Sequence, residues 1–212
     1  MLGIRIVTTL AFGAFVYSAA PFASPAFADA PSFNCAKTDS RAEELICGDR
    51  ELALMDVEAT RLFKLVRDVS SRPDEQKKAL NDDRNRWLRT RDECWIAEDL
   101  RNCIITSYAV RIHSLREKHA EARSNDAKGI TKGPFDFRCK NLDAPLKATF
   151  IGSNPPVSAV QMQETFHIGI GSGMRYVERS HRGNLFFWTA GKDAFLKMPN
   201  GVSYDCTVQA AK

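Results

Sequence analysis

Six cysteines carry most of the chemical potential of this 212-residue chain: Cys35, Cys47, Cys94, Cys103, Cys139 and Cys206. None belongs to a CxxC pair or to a Cys/His cluster at ligand spacing, so no metal site is predicted. An even number of cysteines behind an export signal predicts disulfides instead, and bonded cysteines are not nucleophiles. His113, His119, His167 and His181 are scattered, which suits packing or surface roles. There is no G-x-S-x-G and no H-E-x-x-H. Gly169-Ile170-Gly171-Ser172-Gly173 lacks the G-x-G-x-x-G spacing and follows no βαβ pattern. The chain reads as a binding protein without catalytic residues, metal or cofactor. Ser172 stands between two glycines, which permit a tight loop there.

The first 28 residues predict a cleavable signal peptide. Arg5 is the only charge before Asp29, residues 6–20 are apolar, and Ala26-Phe27-Ala28 offers a small-x-small site with cleavage after Ala28. The apolar run is too short and too proline-broken for a membrane anchor, which needs about 20 residues. No cysteine lies near the cleavage site, so the product is expected to be periplasmic and not a lipoprotein. Without Arg5, 29 basic residues face 26 acidic ones. That balance, with no Lys/Arg cluster interleaved with aromatics, excludes a nucleic-acid partner.

The elements that must position these residues fall into two halves, since the hydrophobic period changes near residue 130. Ser40 and Glu43 form a capping box for a short helix through Ile46. Asp49 caps a second helix with Leu52, Met55, Ala59, Leu62, Phe63 and Val66 on one stripe. Asp74 caps a third, carrying Leu80, Trp87 and Leu88 and reaching Cys94. A last helical segment, about 101–122, places Ile104, Ile105, Tyr108, Ile112 and Leu115 on one face. Short connections make these helices an antiparallel bundle. A polar segment at 123–134 reads as a linker. Beyond it the period is two, in Phe135/Phe137/Cys139, Leu146/Ala148/Phe150, Phe166/Ile168/Ile170 and Val202/Tyr204/Cys206/Val208, with Gly, Pro and Asn between the runs. That pattern predicts a small antiparallel barrel, closed or nearly so.

The expected fold is therefore α+β as two domains, a helical domain at 31–122 and a barrel at 135–212. Four cysteines belong to the helical part. Three pairings are open to them, of which Cys35–Cys47 with Cys94–Cys103 is favoured. Cys139 and Cys206 have only each other and tie the first strand to the last, worth about 4–5 kcal/mol in the chain-entropy account.

The helical half resembles the LprI-like lysozyme-inhibitor domain over about residues 31–118. The resemblance rests on Phe33-Asn34-Cys35, Glu44-Leu45-Ile46-Cys47, Leu52 with Asp56, Trp87-Leu88, Arg91-Asp92 with Cys94, and Cys103 followed by Tyr108, Arg111-Ile112 and Leu115. The strand half is similar to the MliC/PliC inhibitors of C-type lysozyme over about residues 133–209. It carries Phe135-Asp136-Phe137-Arg138-Cys139, Ser172-Gly173-Met174-Arg175-Tyr176, Phe187-Trp188-Thr189-Ala190-Gly191 with Ala194, and Cys206.

The resemblance implies that the partner is a C-type lysozyme and that a loop enters its cleft. There a hydroxyl and an ammonium would meet the two carboxyl groups that flank the scissile bond. The implied contacts are Ser172, Gly173, Arg175 and Tyr176. The family usually places a lysine two residues after the tryptophan, where this chain has Ala190. Lys192, two residues further along, is the expected substitute. Residues 134–212 hold nine basic and six acidic residues, so long-range steering does not favour encounter with a basic lysozyme. The same folds would also serve an envelope scaffold protein with another partner, such as a native peptidoglycan hydrolase.

Overall fold

The computed structural model describes residues 30–181 and 183–209. The expected signal peptide and its cleavage site lie outside the described residues. Among the described residues four α-helices precede eight strands: α1 Arg41–Gly48, α2 Arg50–Arg67, α3 Asp74–Asp92, α4 Leu100–Lys118, then β1 Thr131–Cys139, β2 Leu146–Ile151, β3 Val157–Met162, β4 Thr165–Ser172, β5 Arg175–Ser180, β6 Gly183–Ala190, β7 Asp193–Lys197 and β8 Ser203–Val208. No described helix is long and apolar enough to cross a membrane.

Local chemistry sets the helix starts. Ser40 accepts a hydrogen bond from the Glu43 amide at 3.1 Å, and the Glu43 carboxylate accepts one from the Asp39 amide at 2.9 Å. Asp49 accepts from the Glu51 and Leu52 amides and receives Arg101 at 2.6 Å. Burial raises the Asp49 carboxyl, but Arg101 and the two amides outweigh it and hold the group below the usual range. The third helix departs from expectation at both ends. Pro73 occupies its N-cap and Asp74 is already helical, with no side-chain cap bond. Pro73 fixes φ near −59°, so the turn starts without an Asx bond. The helix stops at Asp92, and a 3-10 turn, Glu93–Ile96, carries Cys94 instead. The fourth helix begins at the Asp99 cap and ends at Lys118.

All three disulfides are formed: Cys35–Cys47, Cys94–Cys103 and Cys139–Cys206. The last joins β1 to β8 at a register pair. The strands run as an antiparallel meander, each paired with its neighbour in sequence, and the β1–β8 pairing closes the barrel.

The bundle and the barrel share one hydrophobic core. Ile151, Val157, Ala159 and Ile168 on the outer wall of β2–β4 pack in the same cluster as Met55, Leu62, Ile104, Ile112 and other helical residues. A second cluster fills the barrel, including Phe137, Leu146, Val160, Tyr176, Leu185, Phe187 and Leu196. Helix α4 lies between the two layers, which explains why it buries Arg111, His113 and Arg116 beside its apolar stripe.

Polar groups pin the same boundary. Fully buried Arg116 donates to Gly133 O at 2.7 Å, Ala122 O at 3.2 Å and Asp126 at 3.0 Å. Thr131 bonds Glu58, which also holds Arg61 at 2.7 Å. The segment expected as a linker thus carries a 3-10 turn, Asp126–Lys128, and from Thr131 the first strand.

The residues that carried the helical resemblance form a buried network. Tyr108 donates to Asp56 at 2.8 Å, Arg91 donates to the Tyr108 hydroxyl at 3.0 Å and to Asp92 at 2.6 Å, and Trp87 packs edge-on against Tyr108. Burial, reinforced by the Asp56 charge, drives the Tyr108 hydroxyl well above its usual range and keeps it a donor.

Candidate inhibitor hairpin

Two tight turns at one end of the barrel build the candidate site. Ser172 pairs with Arg175 across β4 and β5, leaving Gly173-Met174 as a two-residue turn. Ala190 pairs with Asp193 across β6 and β7, leaving Gly191-Lys192 as a second. Gly173 and Gly191 both have φ +62°, and each is the first central residue, the place a type II′ hairpin turn requires glycine. A Cβ at either glycine would meet nothing within 4 Å, so backbone conformation rather than crowding dictates the residue. The Thr189 amide donates to Met174 O at 3.1 Å and ties the first tip to β6, the strand that leads into the second. The Val208 amide donates to Lys192 O at 2.8 Å and fixes the second tip to β8.

The predicted contact residues separate into two groups. Ser172, Gly173, Arg175 and Lys192 are exposed at this end, and Met174 at the tip is 63% exposed. Among the described residues, neither the Ser172 hydroxyl nor the Lys192 ammonium has a hydrogen-bonding or ionic partner. Tyr176 points the other way, into the barrel, where its ring lies 5.5 Å from Phe150. A Cβ at Gly171 would stand 2.7 Å from that ring, so the glycine before Ser172 makes room for Tyr176. Burial raises the Tyr176 hydroxyl above its ordinary range. This tyrosine seats the hairpin from beneath.

Sequence reasoning missed the support of Arg175. Its guanidinium lies 5.2 Å from the Phe186 ring centre and 5.1 Å from that of Trp188, with no carboxylate partner among the described residues. Phe186 and Trp188 stack on one another, and Trp188 meets Phe195. The outward alternation Phe186/Trp188 is visible in the sequence. The Arg175–Trp188 register pair that brings the cation over it is not. The arrangement fixes a positive charge beside the Ser172 hydroxyl on a rigid aromatic base.

His113 and His167 have structural settings. His113 is buried between Thr149 and Gln161, each at 3.0 Å, with Phe166 edge-on. Gln161 donates its amide to Gln163 O, which turns its carbonyl oxygen towards His113 Nε2. His167 pairs with Glu178 at 2.7 Å. Among the described residues no cluster of His, Cys, Asp or Glu could hold a metal ion.

The chain is similar to Lipoprotein LprI of Mycobacterium tuberculosis and to Lipoprotein LprI of Mycobacterium bovis. Each is 26% identical over 202 residues, covering 91% of this chain and 94% of the relative. The alignment thus spans helical bundle and barrel together. No family model matches the chain, and no solved structure matches it.

Proposed function

We propose that this protein is an exported, non-catalytic inhibitor that binds a C-type lysozyme and closes its cleft with the Ser172–Arg175 hairpin. The observation that carries the reading is the pair of neighbouring turns, each bonded to an adjacent strand. They hold an unpartnered hydroxyl, Ser172, beside an unneutralised guanidinium, Arg175, with Lys192 in the adjacent tip. Two carboxyl groups flanking a glycosidic bond are the complement of that set. In a dry cleft such charge-assisted bonds are stronger than in water. Whole-length similarity to Lipoprotein LprI and the order of the inhibitor-like motifs support it. Three disulfides support export to an oxidising compartment such as the periplasm.

The test is the lysis of a cell-wall suspension by a C-type lysozyme. The chain from Asp29 onward is expected to slow lysis at micromolar concentration. Ser172→Ala is expected to weaken that effect by about 10- to 100-fold, the worth of a hydrogen bond to a charged group, about 1.5–3 kcal/mol. Undiminished lysis with the wild-type chain would refute the reading. Lysis by the chain alone would make it an enzyme.

A further inference from the structure

We propose that the disulfide-closed loop carrying Trp95 and Ile96 is a second docking point, for the basic surface of the protein that the hairpin engages. The inference rests on the inhibitor reading above and names where else the partner is held. Trp95 is 59% exposed and Ile96 71%, adjacent and unpacked. Exposed large apolar pairs are uncommon on a folded surface and mark contact sites. Trp87, by contrast, is tucked in, its indole donating to Ser107 at 3.0 Å.

The loop is rigid although its apolar residues face outward. Cys94 is buried and bonded to Cys103. Ala97 N donates to Cys94 O at 2.9 Å, and Asp99 accepts from the Asn102 amide at 2.9 Å. A braced backbone leaves only the side-chain rotamers to be ordered on binding, which lowers the cost of the contact.

Charge identifies the occupant. Residues 92–99 contain Asp92, Glu93, Glu98 and Asp99 and no basic residue. Asp92 is committed to Arg91, whereas Glu93 and Glu98 pair with nothing among the described residues. An apolar knob in an acidic rim fits a cationic protein surface with an apolar recess. This supplies the attraction that the basic barrel lacks.

Position links the loop to the hairpin. Asp99 and Asn102 form one wall of a cavity of about 320 Å³ whose opposite wall includes Ile170 and Val177. Ile170 and Val177 are a register pair, two residues behind Ser172 and Arg175. That step is about 7 Å along a strand. The end of the loop, at Asp99, and the strands that carry the hairpin therefore adjoin the same groove.

The experiment measures binding of hen egg-white lysozyme, a basic C-type lysozyme, to the chain from Asp29 onward at two salt concentrations. Trp95→Gln with Ile96→Ser is expected to raise Kd about 10- to 100-fold while saturating protein still inhibits fully. Glu93→Lys with Glu98→Lys is expected to slow association and flatten its salt dependence, with the melting temperature unchanged as the folding control. Unchanged affinity in both variants, with Ser172→Ala still impaired, would overturn the second docking point alone. A wild-type chain that does not bind lysozyme would overturn this inference and the inhibitor reading together. A wild-type dimer that the Trp95 variant dissolves would make a second copy the occupant and overturn it likewise.

Discussion

At the scale of single residues, Arg175 carries a charge that no described carboxylate neutralises, and two aromatic rings hold it in place. A free arginine would lose rotamer freedom on binding, whereas this one has lost it in the folded state. Trp188→Leu is therefore expected to weaken lysozyme binding about two- to fivefold, the worth of an exposed cation–π contact of about 0.5–1 kcal/mol. Titration calorimetry checks this, and an unchanged Kd would mean that the ring does not hold the charge for use. The turn after Ser172 was legible in the sequence because Gly173 announces it. The burial of Tyr176 was only partly legible, since it follows from strand alternation and from the space left by Gly171.

At the scale of elements, α4 is the hinge of the architecture. Its buried Arg116 satisfies Gly133 O, Ala122 O and Asp126, and so ties the chain between the last helix and the first strand to the core. Arg116→Met leaves those acceptors unpaired and is expected to cost about 3–5 kcal/mol. Chemical denaturation measures it, and a loss under 1 kcal/mol would contradict the role. Helix caps at Ser40 and Asp49 could be read from sequence because they depend on neighbours three residues away. Strand β3 could not. Residues 157–160 are buried on every side, since one face fills the barrel and the other meets the helices, so no period of two survives. Arg116 shows the same limit, as its partners are a bulged strand and two 3-10 turns.

At the scale of the molecule, bundle and barrel are joined by a core that includes an uncharged histidine. Burial pushes the His113 imidazole below its ordinary 6.5, against the opposing pull of Gln161 and Glu117, while Lys147 adds to the depression. His119 is lowered by burial as well. The unfolded chain takes up these protons as pH falls through about 6.5, and the folded chain resists until lower pH. Stability is therefore full above that value and declines as pH drops below it. Melting temperature should fall between pH 7.5 and 5.5, and His113→Gln should flatten the slope while lowering stability at pH 7.5. A wild-type melting temperature that stays level across this range would contradict the linkage.

The central claim is that the hairpin occupies the cleft of a lysozyme. Competition with a soluble chitooligosaccharide that fills the same cleft tests it most directly. If the hairpin enters, the apparent Kd for lysozyme rises in proportion to oligosaccharide concentration above its own Kd. A Kd that stays constant at saturating oligosaccharide would place the protein elsewhere on the enzyme and contradict the account.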